Sequence, residues 1–255
     1  MPCICIYVAF LQRQCKAPVL GHFRRAKLLL IWARRHQKRL GIWFQKLTPP
    51  LRVITLSDSA FKAQDYQGLV MRGCIILLAE MGPSSPKGLA LVPDQAVRCQ
   101  VLDWYSRKHS RVIFSTYAAE LLSLLDAAGQ GNLIATAFDE VWSGVTTPNQ
   151  LLARHKQRER AIEHDACVDA KAVFDGVTAE CPKTPADKPL FIHALAMREY
   201  LEAGWIDRLW WLDTLAMLAD GMTKGAIERE ALVQVCYEGI WKIVGQKPIF
   251  KRLRD

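Results

Sequence analysis

Past a proline pair at Pro49-Pro50, the chain alternates between runs suited only to buried strands and stretches with helical spacing. Proline removes a backbone donor and pushes its predecessor into extended conformations, so the pair closes one segment and opens another. Residues 51–58 read LRVITLSD. A second run, 68–79, carries Val70, Cys74, Ile75, Ile76, Leu77 and Leu78, and 101–106 is a third. Unbroken apolar runs of this length, punctuated by the Gly/Pro/Ser segment at 82–88, predict strands covered on both faces. Residues 117–142 change to helical spacing, with Gly129-Gln130-Gly131 as an internal weak point. The polar stretch 146–165 predicts a loop with an exposed helix, 171–175 a short strand, and 189–203 a helix broken at Gly204. Residues 206–212 predict a strand, and Thr223 opens a last helix with Leu232, Val235, Cys236 and Ile240 on its apolar side. Three strands, helix, strand, helix, strand, helix describes an α/β fold: a five-stranded mixed sheet flanked by helices.

Charge divides the chain at nearly the same place. Residues 1–57 hold eleven Lys or Arg and no acid, while 58–255 hold 23 basic and 25 acidic residues, so the whole net charge of +9 resides in the first quarter. Within it, 18–40 predict an amphipathic helix. Phe23, Ala26, Leu29, Leu30, Ala33 and Leu40 fall on one side, and Arg24, Lys27, Arg34, Arg35, Lys38 and Arg39 on the other. A basic block favours a polyanion, most plausibly nucleic acid, with Arg24 and Arg35 as candidate contacts. The alternative is a solvated helix face. We therefore expect a basic helical segment over 1–48 and a second unit over 49–255. The opening MPCICIYVAFL is apolar but too short to span a bilayer and has no basic leader. Eight scattered cysteines without a CxxC pair read as reduced, mostly buried thiols of an intracellular protein.

Four segments then place acids where chemistry could use them: Asp58 at the end of the first strand, Glu120 near a helix start, Asp175 closing the short strand, and Asp220 before a glycine at the final helix. A phosphodiester is an anion, and water attacking it must approach negative charge. Two divalent cations about 3.5–4 Å apart bind the attacking water and stabilise the leaving oxygen. Magnesium prefers oxygen ligands, so the protein supplies carboxylates. Clustered acids without a cation repel one another, which makes such a cluster sensible mainly where a cation belongs. Taken singly, each acid also has an ordinary reading as a strand-end turn, a helix cap or a dipole partner.

The same segments resemble the ribonuclease H domain of copia-type retrotransposon polyproteins. LSDSAFKAQD at 56–65 is similar to that family's YSDADWA-like strand, STYAAELLSL at 115–124 to its SSTEAEY-like helix start, FDGVTAE at 174–180 to its CDNQSA-like strand, and MLADGMTKG at 217–225 to its LADIFTKPL-like motif. VLDWYSRKHSRV and AMREYLEAGWIDRLWW resemble two further family stretches, so the likeness spans roughly 50–228. It implies a ribonuclease H-like fold and two Mg²⁺ or Mn²⁺ ions held by Asp58, Glu120, Asp175 and Asp220. It also implies hydrolysis of the RNA strand of RNA–DNA hybrids. The basic start is similar to the end of a preceding reverse transcriptase, whose paired-aspartate polymerase motif is absent. The cytoplasm, a virus-like particle or the nucleus would be the setting. The chain departs from the family at Gly176-Val177, where an Asn-Gln pair is usual, and at His193, where an acid is usual.

Other residues bear on binding. Arg107, Lys108, His109 and Arg111 end the third strand, where a hybrid would pass, and suit phosphates or a solvated strand end. Lys224 would touch the scissile strand or neutralise nearby acids. Trp205, Trp210, Trp211 and Trp241 read as core, and His193 as a helix-face residue. Two rivals remain: a fold that binds hybrid without turnover, and a strand transferase, which would depend on three acids.

Overall fold

A computed structural model of the chain describes residues 1–39, 41–60, 70–80, 91, 95–110, 112–144, 147–157, 159–180 and 188–253. Leu40, the 82–88 segment, Arg111 and Cys181 lie outside the described residues, as does the start of the expected second strand.

The three expected strands are β1 (Leu51–Ala60), β2 (Met71–Glu80) and β3 (Ala96–Lys108), joined in an antiparallel meander. Their continuous apolar composition has the expected cause, since both faces of β1 and β2 are covered. Helix α3 (Thr116–Ser143) follows, its first turn capped by Ser115, whose Oγ accepts from the Ala118 N–H at 3.1 Å. The Gly129–Gly131 segment does not break it. Gly131 is the point of closest approach instead, where any Cβ would collide with Thr55 Oγ1 and His164 Nε2.

Two expectations fail after α4 (Pro148–Gln157). The central strand β4 (Glu163–Val168), parallel to β1, begins inside the stretch 146–165 expected to be a loop with an exposed helix. Residues 171–175, read as a strand, open helix α5 (Lys171–Thr178). The reason is visible in β4, where His164 and Asp165 are fully buried. Asp165 accepts from Arg52 Nη1 at 2.7 Å and Trp210 Nε1 at 2.9 Å, with Arg208 Nη1 at 3.3 Å, so a charged sequence occupies the sheet interior. Helix α6 (Pro189–Glu202) ends at Gly204, which has φ +77°. Strand β5 (Arg208–Trp211) then pairs parallel to β4.

The final region also differs from expectation. Helix α7 (Asp220–Thr223) is one turn long, and the longer helix, α8, spans Glu230–Glu238. Two short strands, β6 (Ile240–Lys242) and β7 (Ile249–Lys251), pair antiparallel to β3 and β5 at opposite edges. The mixed sheet therefore has seven strands, in the order β6-β3-β2-β1-β4-β5-β7, rather than five. The added edges come from three-residue segments too short to show strand periodicity.

Helices cover both faces. One core joins Ile54, Leu56, Cys167 and Trp210 to Met222, Leu232 and Trp241 beneath α7 and α8. Another joins Leu121, Leu124, Val168 and Leu209 to Phe174 and Met197 beneath α3, α5 and α6. Trp210 and Trp241 are core as expected, while Trp205 and Trp211 are half-buried.

The N-terminal segment divides in two. Helix α1 (Cys5–Arg13), with the 3₁₀ turn Pro2–Ile4 before it, packs into the body: Cys3 belongs to the main core, and Ile6 and Ala9 meet Met71. Helix α2 (Leu20–His36) has no buried residue. Ala26, Leu29 and Ala33 are half-covered, but Phe23 and Leu30 of the expected apolar side are exposed. Of the described cysteines, five are buried and all are free thiols. Among the described residues no helix is long and apolar enough to cross a membrane.

Candidate metal centre

Successive side chains of a strand alternate between faces, so Arg52, Ile54, Leu56 and Asp58 share one face of β1. Asp58 is the eighth residue of that ten-residue strand and is 1% exposed. Strand β4 runs parallel with Leu56 opposite Cys167. Continuing that register by two residues brings Asp169, just past the end of β4, beside Asp58. The turn carrying Asp220 packs on the same end of the sheet. It can do so because β2 places Gly73 opposite Asp58, and any Cβ there would meet Met222 Cβ and lie 2.8 Å from Thr223 Cγ2.

Carboxylate oxygens of Asp58, Asp169 and Asp220 lie within 4.8 Å of one another. Glu120, one turn into α3, faces the same group. Its Oε2 is buried without a hydrogen-bond partner, and its pKa is pushed up to about 9 by burial and by the charges of Asp58 and Asp169. Burial and the Asp58 charge raise Asp220 to about 7, with Lys224 opposing, and the same two causes raise Asp169. Lys224 Nζ stands 2.6 Å from Asp220 Oδ1 and 3.4 Å from Asp58 Oδ1. Burial lowers its pKa, but the carboxylates of Asp58 and Asp220 outweigh burial and the net shift is upward. The Thr223 hydroxyl donates to Asp58 Oδ2, and Thr214 Oγ1 donates to Asp169 Oδ2 at 3.1 Å. Ser123 Oγ donates to the Asp58 carbonyl at 2.9 Å and ties β1 to α3.

Three of the four expected acids therefore meet: Asp58, Glu120 and Asp220. Asp175 does not join them. It lies on α5, mostly exposed, in an i, i+4 ion pair with Lys171, because its segment is a helix and not a strand. Asp169, which the expectation missed, holds the third position. The signal for it was the run ACVD at 166–169: an apolar strand ending on an acid, in phase with LSD at 56–58. The oxygen-only donor set suits a hard divalent cation such as Mg²⁺ or Mn²⁺.

The expected binding residues lie around this end of the sheet. Arg107 and Lys108 are exposed at the end of β3, one and two residues past Ser106, which pairs with Gly73. Arg107 also stacks over Tyr105 at 4.8 Å. Lys224 is engaged with Asp58 and Asp220. Arg24 and Arg35 are exposed on α2, and Arg35 lines a cleft of about 1000 Å³ between α1, α2 and the α7–α8 region that reaches Thr223. His193 is half-buried on α6.

No family model matches the chain, and no curated protein or solved structure matches it either.

Proposed function

We propose that this protein is a ribonuclease H-type hydrolase of copia-type retrotransposon origin, cleaving the RNA strand of RNA–DNA hybrids with two Mg²⁺ or Mn²⁺ ions. The observation that carries this reading is the convergence of Asp58, Asp169 and Asp220 within 4.8 Å, from three segments distant in sequence. Glu120 adds a fourth carboxylate with an unpartnered oxygen. The strands β3-β2-β1-β4-β5 fit the five-stranded mixed sheet that the resemblance implies, extended here at both edges. The family's central-strand acid falls on Asp169 in place of Asp175.

Bound at this site, divalent cations would activate water and stabilise the leaving oxygen. The chain's own groups hold the ligands ready. Thr223 fixes one oxygen of Asp58, Thr214 fixes one of Asp169, and Gly73 lets the Asp220 turn sit against the sheet. Arg107 and Lys108 stand at the same sheet end, and the basic helix α2 lines the neighbouring cleft. Both suit contact with phosphates, so hybrid recognition is expected to follow backbone shape and 2′-hydroxyls with little sequence preference.

The test is cleavage of an RNA–DNA hybrid, labelled on either strand, by the full chain with Mg²⁺ or Mn²⁺, beside Asp58→Asn. Cleavage confined to the RNA strand and lost in the variant is the expected result. A folded protein that binds the hybrid but cleaves neither strand, with either metal, would overturn it.

A further inference from the structure

Both oxygens of Asp58 are already engaged by the chain itself. Oδ2 accepts from the Thr223 hydroxyl, and Oδ1 faces the Lys224 ammonium at 3.4 Å, which also lies 2.6 Å from Asp220 Oδ1. A cation bridging Asp58 and Asp220 competes with those two partners for the carboxylates, and whichever yields more easily gives way.

The surroundings decide which one. Thr223 is 4% exposed, packed over Gly73, and its hydroxyl is also 3.4 Å from the Asp220 carbonyl. It has no room to leave. The Lys224 side chain is 34% exposed, against 1% for Asp58 and 10% for Asp220, so its path leads into solvent. Its backbone is clamped. Lys224 N–H donates to the Asp220 carbonyl at 2.9 Å, and its carbonyl accepts from Arg229 Nη2 at 2.5 Å. Arg229 is held in turn by Tyr7 Oη at 3.0 Å. Only the flexible part of Lys224 is free to move, and moving it needs no change in the fold.

We propose that Lys224 is the resident counterion of the acid cluster, and that a divalent cation enters between Asp58 and Asp220 by displacing it. The proposal rests on the metal reading above. Lys224 thereby acts as a positioning residue with two effects: it holds the acids together before metal arrives, and it weakens metal affinity by competing for the same oxygens. A ligand that must displace a resident partner binds with an affinity reduced by the population of the competent state.

The experiment is a Mn²⁺ titration of the full chain followed by the electron paramagnetic resonance of free Mn²⁺, with melting temperatures measured with and without metal. Wild type, Lys224→Met, Lys224→Arg and Asp58→Asn are compared. Lys224→Met is expected to bind Mn²⁺ at least about tenfold more tightly than wild type, and Lys224→Arg, which keeps the charge, within about threefold of it. Without metal Lys224→Met should melt below wild type, and Mn²⁺ should raise its melting temperature by more. Lys224→Gln carries the same expectation if the Met variant does not fold. Equal or weaker Mn²⁺ binding by the charge-removing variants, with wild type binding more tightly than Asp58→Asn, would overturn the role of Lys224 and leave the metal reading standing. If neither wild type nor the charge-removing variants bind Mn²⁺ more tightly than Asp58→Asn, the metal reading falls and takes this inference with it.

Discussion

One face of β1 and β4 buries charge at both ends, and the two ends are built on opposite principles. At the start of the strands, Arg52 and Arg208 meet Asp165 and Glu163 across three neighbouring strands, with Trp210 adding a neutral donor. Burial pushes the Asp165 pKa up, and the two guanidinium groups and the indole pull it back. Roughly 20 Å further along β1, at about 3.3 Å per residue, Asp58, Asp169, Asp220 and Glu120 share one lysine. Between the ends the same face is apolar, with Ile54, Leu56, Cys167 and Trp210. At the first end each carboxylate has guanidinium partners within the chain. The acid end has four carboxylates to one lysine, an excess of negative charge that a cation or bound protons would relieve.

Breaking the balanced end should have the largest effect. Arg52→Met leaves a fully buried Asp165 without one of its two guanidinium partners, and losing one member of a buried pair costs about 3–5 kcal/mol. Urea denaturation should show a loss of that size. Adding Asp165→Leu, which removes the stranded charge, should restore most of it. No recovery in the double variant would mean that the network is not the balanced structural unit described above.

At the other end the test is functional. Asp169→Asn should lower hybrid cleavage by at least about a hundredfold, the upper end of what loss of a residue merely supporting a metal ligand produces. Asp175→Asn should leave cleavage within about twofold, since its partner is only an exposed lysine and such pairs contribute little. The reverse ranking, read in initial rates at saturating Mg²⁺, would return the third ligand position to Asp175.

Gly73→Ala probes how the acid end is assembled. The new methyl group has to push the Asp220–Thr223 turn off the sheet, and overpacking of this kind costs about 1–3 kcal/mol. Weaker Mn²⁺ binding should accompany the lower stability. Gly129→Ala, whose Cβ would meet nothing within 4 Å, is the control and should be neutral or slightly stabilising.

The acid end should also respond to pH. Glu120 rises from 4.5 to about 9 in the folded protein, and Asp220 from 3.8 to about 7. The folded state then holds protons that the unfolded state releases, so metal-free stability should fall as pH rises from about 4 to 9. Melting temperatures across that range should decline, and Glu120→Gln should flatten the upper part of the decline. A slope that the Gln variant does not change would separate Glu120 from the acid end.

Much of the fold was legible because its elements obey local rules. The buried runs of β1 and β2, the capped start of α3, and the stop at Gly204 each announce themselves within a few residues. The misreading at 146–175 has one physical cause. Strand β4 carries Glu163 and Asp165 because Arg52 and Arg208, 111 and 45 residues away from Glu163, pair with them, and His164 because Thr55 and Asn132 hydrogen-bond its ring. No local window contains those partners, so a central strand looks like a polar loop. The strand expected over 171–175 is instead the start of α5, and its acid, Asp175, lies six residues past Asp169. Glu120 avoids this error because it sits near the start of a helix set by its neighbours in sequence, whereas Asp220 lies on a one-turn helix ahead of the one expected from Thr223.

Local patterns along the chain are enough for an α/β sheet protein with a basic first quarter and acids at the ends of apolar segments. Those properties reside in periodicity, proline and glycine positions, and charge, all of which act over a few residues. The packing of distant segments sets the rest: Asp169 joins Asp58 and Asp220, Lys224 stands between two of the acids, and three-residue strands complete both sheet edges. Each of these depends on register between strands far apart in the chain, and register is set by how whole faces pack and how buried charges find partners.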